Sequence, residues 1–243
     1  MDRQNIQSIF SKDFTIFRKK KYIVYSAIIL PLIASVGFPL ILSFAISKGV
    51  NIILLKSLIL YFSFFFVILS GLAPAIIAGY SLVGEKIEKS LEPLLATPMT
   101  DKEILLGKSI SSFIPILATM YICGSIFTIL VDIFTEPTFG YYYLPNWTLI
   151  EIMILVVPAT ILFSVEGSII ISSRVNDIRT ANQFGIVLML PFIAIYILSE
   201  AQVITLDNQI LFLIALTLFI VDIFLFYIST LLFNREEILT KWK

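Results

Sequence analysis

Long apolar runs, several free of charge for twenty or more residues, alternate along this chain with short charged connections. Six runs stand out, at about 22–47, 57–83, 104–131, 148–173, 181–199 and 209–233. A helix needs about 20 apolar residues to cross a hydrocarbon core of roughly 30 Å, so each run predicts a transmembrane helix. The longer ones must tilt or extend beyond the bilayer. Prolines fall inside the first five runs (Pro31, Pro39, Pro74, Pro115, Pro158, Pro191) and not in the sixth. In lipid such breaks survive where neighbouring helices satisfy the freed carbonyls. With no internal repeat and no soluble second domain, the pattern predicts an all-α integral membrane protein whose residues 1–243 form a single transmembrane domain.

Ahead of the first span, residues 4–20 carry a second kind of pattern. Ile6, Phe10, Phe14 and Phe17 recur at helical spacing with Ile9 beside them, while Arg3, Gln7, Lys12 and Arg18 fall elsewhere on the wheel. This predicts an amphipathic interfacial helix, its basic end near anionic headgroups. It is no secretory signal: the first apolar run starts after Lys21, exceeds the usual h-region of about 7–15 residues and lacks a small-x-small cleavage site.

Composition sharpens the class. Of 243 residues 58% are hydrophobic and 14% charged, with a mean hydropathy of +0.98; soluble domains average about 45–50% apolar and about a quarter charged. Net charge is zero and no broad basic face points to nucleic acid. Histidine, the commonest metal ligand and general base, is absent. The one cysteine, Cys123, lies in an apolar run without an intrachain disulfide partner and reads as a small core residue.

Basic residues set the expected orientation. Fifteen of the 17 lysines and arginines fall in the N-terminal segment, the second and fourth connections and the tail, while only Lys48 and Lys56 lie in the first connection. The positive-inside rule puts the basic side, with both termini, in the cytoplasm of a plasma membrane protein. The opposite side is acidic and aromatic, with Asp132, Glu136, Glu151, Glu200 and Asp207 among Phe139, Tyr141, Tyr142, Tyr143 and Trp147, a composition that suits an interfacial belt.

The connection from Gly84 to Lys108 is the most structured. Within 84–99, Ile87, Leu91, Leu94 and Leu95 form one apolar stripe of a short amphipathic helix, and Glu85 and Lys89 stand at i,i+4 on its polar side. Pro98 disfavours helix at Thr97 and stops it. Thr100-Asp101-Lys102-Glu103 is then a capping box that restarts a helix into the third span. Physics alone allows two readings, a helix lying on the membrane or a rigid element passing motion from a soluble partner into the spans.

The stretch resembles the signature of the type 2 permease family of ATP-binding-cassette (ABC) exporters. Glu85, Ser90, Leu91, Glu92, Leu94, Leu95, Ala96, Thr97, Pro98, Ile104, Leu105, Gly107 and Lys108 fit that pattern. Lys89 stands where the family commonly has glycine, and Pro93 is unusual within the helix. Ser173-Arg174 through Arg179-Thr180-Ala181-Asn182-Gln183 is similar to a second family pattern, and Phe14, Arg18 and Pro31 resemble its head. The resemblance implies a permease subunit that builds a substrate pathway with a second permease subunit, as a homodimer or heterodimer. It also implies a separate ABC ATP-binding subunit. The chain has no G-x-x-x-x-G-K-[ST] loop, so it binds no cofactor of its own and ATP and Mg belong to the partner. By the same resemblance Glu85, Lys86, Glu88, Leu91, Glu92, Leu94, Leu95, Thr97 and Pro98 form a cytoplasmic coupling segment docking on the ATPase, with Arg174 and Arg179 nearby.

Two acids lie inside spans, Glu166 in the fourth and Asp222 in the sixth. An ionised carboxylate at the bilayer centre costs about 2.5–3.5 kcal/mol on insertion scales, so these face the bundle or a wet cavity. Either they contact substrate in the pathway or they fix helix packing. Two other classes compete with the exporter. A membrane-embedded enzyme acting on lipid-linked substrates would need catalytic constellations that the sequence does not display. A stand-alone secondary transporter would use the intramembrane acids but leave the capped connection without a purpose.

Overall fold

The structure is a computed structural model that describes residues 3–19, 21–87, 97, 99–175 and 177–232. Among these every regular element is helical: α1 Arg3–Lys19, α2 Lys21–Ser47, α3 Ile52–Ile87, α4 Asp101–Phe139, α5 Trp147–Arg174, α6 Ile178–Val187, α7 Leu190–Glu200 and α8 Asn208–Leu232. Among the described residues six helical stretches are long and apolar enough to cross a bilayer, as the sequence pattern predicts, and the chain is a multi-pass membrane protein.

Several spans differ from their sequence bounds for local reasons. The third, expected at 104–131, is the 39-residue α4, about 58 Å long by helical rise and so longer than any perpendicular crossing. It starts at the capping box: Glu103 N donates to Thr100 Oγ1 at 3.4 Å and Thr100 N to Glu103 Oε2 at 3.0 Å. It ends at Gly140, whose φ of +74° is the left-handed geometry of a helix C-cap. The fifth span, expected as one helix over 181–199, is two, α6 and α7, separated by a turn at Leu188 and Met189. Pro191 lacks the N–H that Val187 would accept, and its ring crowds that carbonyl. Within α5, Ile152–Val156 is π-helical just ahead of Pro158, a local adjustment to the same defect. In α3, Pro74 leaves carbonyls loose a turn earlier, and Ser164 Oγ of α5 donates to the carbonyl of Gly71.

Helices α3, α4 and α5 form the centre, with Phe64, Phe66, Leu105, Phe127 and Ile161 buried among them. Helix α2 packs on α3 and α4, α6 and α7 lie on α3, and α8 lies along α5. α8 touches α4 only sparsely, so the surface between those two helices stays open.

Helix α1 packs across the start of α4. The expected single apolar stripe divides in two. Ile9, Asp13 and Phe17, at i, i+4 and i+8, form the buried seam, while Ile6 and Phe10 are half-buried and Phe14 is exposed. Gly107 makes the seam possible: a Cβ there would stand 2.8 Å from Cβ and Cγ2 of Ile9. Because the Ile9 Cβ is fixed to its backbone, that clash has no cheap relief.

Candidate functional site

Asp13 on the buried seam of α1 marks the first half of the site. Its Oδ2 accepts a hydrogen bond from Ser111 Oγ of α4 at 2.8 Å and lies 3.9 Å from Lys108 Nζ. Lys108, wholly buried, reaches across to Glu85 Oε2 near the end of α3 at 2.7 Å. The other oxygen of Glu85 takes Lys12 Nζ of α1 at 2.7 Å. Burial alone would raise the Glu85 carboxyl, but the ammonium groups of Lys108 and Lys12 outweigh it and hold it below the ordinary carboxylate range. Such a pair adds little net stability, yet breaking one side is costly, so it fixes which helices meet.

Lys86, the next residue, turns the other way. Its Nζ donates to the carbonyls of Ser172, Ser173 and Val175 at 2.8, 2.8 and 3.1 Å. A cation belongs at a helix C-terminus, where the last carbonyls have no intrahelical donor. Burial lowers the Lys86 ammonium to about 8. Beyond it Asp177 caps α6, its Oδ2 accepting from Thr180 N at 3.1 Å and Thr180 Oγ1 at 3.0 Å, and those bonds hold its carboxyl below the usual range. Asn5 of α1 also donates to Glu103 Oε2 at 3.2 Å. Two adjacent residues of α3 therefore tie the middle of α1, the start of α4 and the end of α5 together.

Of the expected docking residues, Glu85 and Lys86 are buried and directed into this junction, so their charge is committed within the chain. Arg174 and Arg179 are exposed and Thr97 is half-buried. Glu88, Leu91, Glu92, Leu94, Leu95 and Pro98 lie outside the described residues.

The second half of the site is a cleft of about 330 Å³ where α4 and α8 stand apart over α5. It brings together the two acids that the sequence left in separate spans. Glu166 is 4% exposed and Asp222 7%. Glu166 Oε1 accepts from Ser109 Oγ of α4 at 2.7 Å. Its Oε2 and both oxygens of Asp222 are buried without a hydrogen-bond partner. The remaining walls are apolar, including Phe113, Phe219 and Phe226.

At the opposite end, Asp132 Oδ1 accepts from Tyr143 N at 3.0 Å and Leu144 N at 2.9 Å, and Lys56 sits over the rings of Phe139 and Tyr143. Tyr142 and Trp147 remain exposed, as an aromatic belt requires.

Asp13, Ser109 and Ser111 were missed by the sequence reading. Asp13 carried a usable signal, a charge midway between Ile9 and Phe17 on one helical face; the serines carried none. Set against known proteins, the chain matches no family model, and no curated protein matches it.

Proposed function

We propose that the chain is the permease subunit of an ATP-driven ABC exporter, forming a substrate pathway with a second permease subunit and driven by separate ATP-binding subunits. The observation that carries the reading is the buried junction of Glu85, Lys86, Lys108 and Asp13. Segment 88–98 is covalently continuous with α3 on one side and with the start of α4 on the other. A force on it enters helices that Glu85 and Lys108 clamp to each other, that Asp13 and Lys12 clamp to α1, and that Lys86 clamps to the end of α5. A helix merely resting on a membrane has no need of that bracing. The motif residues Glu85, Gly107 and Lys108 acquire physical roles in this scheme, as strut, close-contact site and counter-charge. In this reading the basic end faces the cytoplasm, Phe10 and Phe14 lie among headgroups, and Glu88, Leu91, Glu92, Leu94, Leu95 and Pro98, with Arg174 and Arg179, meet the ATPase.

The test is Leu91→Ala with Leu94→Ala. Buried interface anchors commonly contribute about 2 kcal/mol or more each, over tenfold in affinity. The double variant is expected to insert normally and lose an ABC ATPase that co-purifies with the unmodified chain. Absence of any such ATPase, or its full retention by the variant, refutes the exporter reading.

A stand-alone secondary transporter is the second reading, favoured by the unpartnered carboxylates of Glu166 and Asp222, which an ion-coupled carrier would use. It predicts solute uptake into proteoliposomes driven by an ion gradient with no ATPase present.

A further inference from the structure

The cleft between α4, α5 and α8 is unlike the basic-end junction in one respect: among the described residues its acids have no counter-charge. At the junction the buried acids are matched, Asp13 by Ser111 and Lys108, and Glu85 by Lys12 and Lys108. In the cleft two acids share one apolar space with three buried oxygens unsatisfied, and among the described residues no lysine or arginine lines it. Buried polar groups left in this state are costly unless something outside the fold completes them.

Depth fixes where that completion occurs. Ser109 is eight residues into α4 and Glu166 eight residues before the end of α5, and Asp222 shares their cleft. At 1.5 Å per residue these two positions are roughly 12 Å from the basic end. The acids therefore lie between that end and the middle of the bilayer, reached from the lipid side past Phe219 and the exposed Ile223.

We infer that this cleft binds a lipophilic organic monocation, with Glu166 and Asp222 as counter-charges and Phe113, Phe219 and Phe226 enclosing its apolar body. Three features select that class. The carboxylates attract positive charge, and aromatic faces add cation–π attraction in a desolvated setting. The apolar walls disfavour a hard metal ion, which takes six to eight oxygen ligands, and no cluster of three or more candidate ligand side chains exists among the described residues. A zwitterionic lipid headgroup is disfavoured because its phosphate would meet two acids and no cation. The exporter reading would make such a cation the cargo, but binding by the isolated chain does not depend on which energy source moves it.

The test is equilibrium binding of tetraphenylphosphonium to the purified full chain in phosphatidylcholine nanodiscs, with empty nanodiscs subtracted. Tetraphenylborate, of the same shape and opposite charge, is the control. Saturable binding of the cation and none of the anion is expected. Asp222→Asn and Glu166→Gln keep the side-chain shape and should each weaken cation binding by about tenfold or more. Leu162→Trp, which retains both acids but fills the cleft, should abolish it in a chain that still elutes as a single species. No saturable cation binding, equal binding of both ions, or unchanged affinity in Asp222→Asn and Leu162→Trp overturns the assignment. An ATPase that fails to co-purify leaves it untouched, so the two readings fail separately.

Discussion

Glu85 and Lys108 offer a sharp test of the junction, because their environments make the two single substitutions unequal. In Glu85→Gln, Lys108 remains wholly buried and loses its 2.7 Å ion pair, while Asp13 stays at 3.9 Å. Removing one partner of a buried pair costs about 3–5 kcal/mol; with Asp13 still near, the lower end applies, about 3 kcal/mol. In Lys108→Met the stem volume is kept, Glu85 retains Lys12 at 2.7 Å, and Asp13 retains Ser111 at 2.8 Å. That loss should be about 1 kcal/mol, comparable to one net hydrogen bond. The double variant removes the buried Lys108 cation together with its partner and frees Lys12, which is already 36% exposed, to solvent. It should therefore also lose only about 1 kcal/mol, so that Lys108→Met rescues Glu85→Gln by about 2 kcal/mol. Unfolding in mixed micelles against SDS fraction, followed by circular dichroism, measures all three. Strictly additive losses, or a loss below about 0.5 kcal/mol in Glu85→Gln, would refute the strut.

The same pair predicts an acid limit: Glu85 is held below its ordinary value of 4.5, so its contribution is complete above that pH and is lost as pH falls through the lower folded value. The stability gap between the unmodified chain and Glu85→Gln should be constant near neutrality and close below pH 4.5. Gly107→Ala places a Cβ 2.8 Å from Ile9, and overpacking of that kind costs about 1–3 kcal/mol; limited proteolysis should cut within α1 faster, and an unchanged rate would deny that α1 docks there. For orientation, single cysteines in a Cys123→Ala background are labelled with an impermeant thiol reagent on intact cells. Tyr142 should react and Lys102 should not, both being exposed side chains; the reverse pattern would invert the topology.

The spans, the capping box at Thr100 and the helical character of residues 3–19 were legible in the sequence because each is a local property. Apolar length, an Asp/Thr-type cap and 3.6-residue periodicity act over a few turns. The prolines were visible too, yet their number did not say that Pro191 divides a span in two while Pro74, whose loosened turn takes Ser164 of α5, stays within a continuous helix. What α1 does was also undecided: its wheel has enough apolar residues for two faces, and the seam on α4 goes to Ile9, Asp13 and Phe17 because Gly107 lets Ile9 approach there.

The polar contacts were out of reach for a different reason. Lys12 and Glu85 are 73 residues apart, and Asp13 and Ser111 are 98 apart. The local i,i+4 partner expected for Glu85, Lys89, lies outside the described residues, but the contacts of Glu85 with Lys108 and Lys12 are long-range and no local pattern predicts them. Likewise the sequence marked Glu166 and Asp222 as costly, since charge in an apolar run is a one-dimensional signal. That they share one cleft depends on α8 lying along α5 while standing away from α4, a matter of helix surfaces meeting in three dimensions.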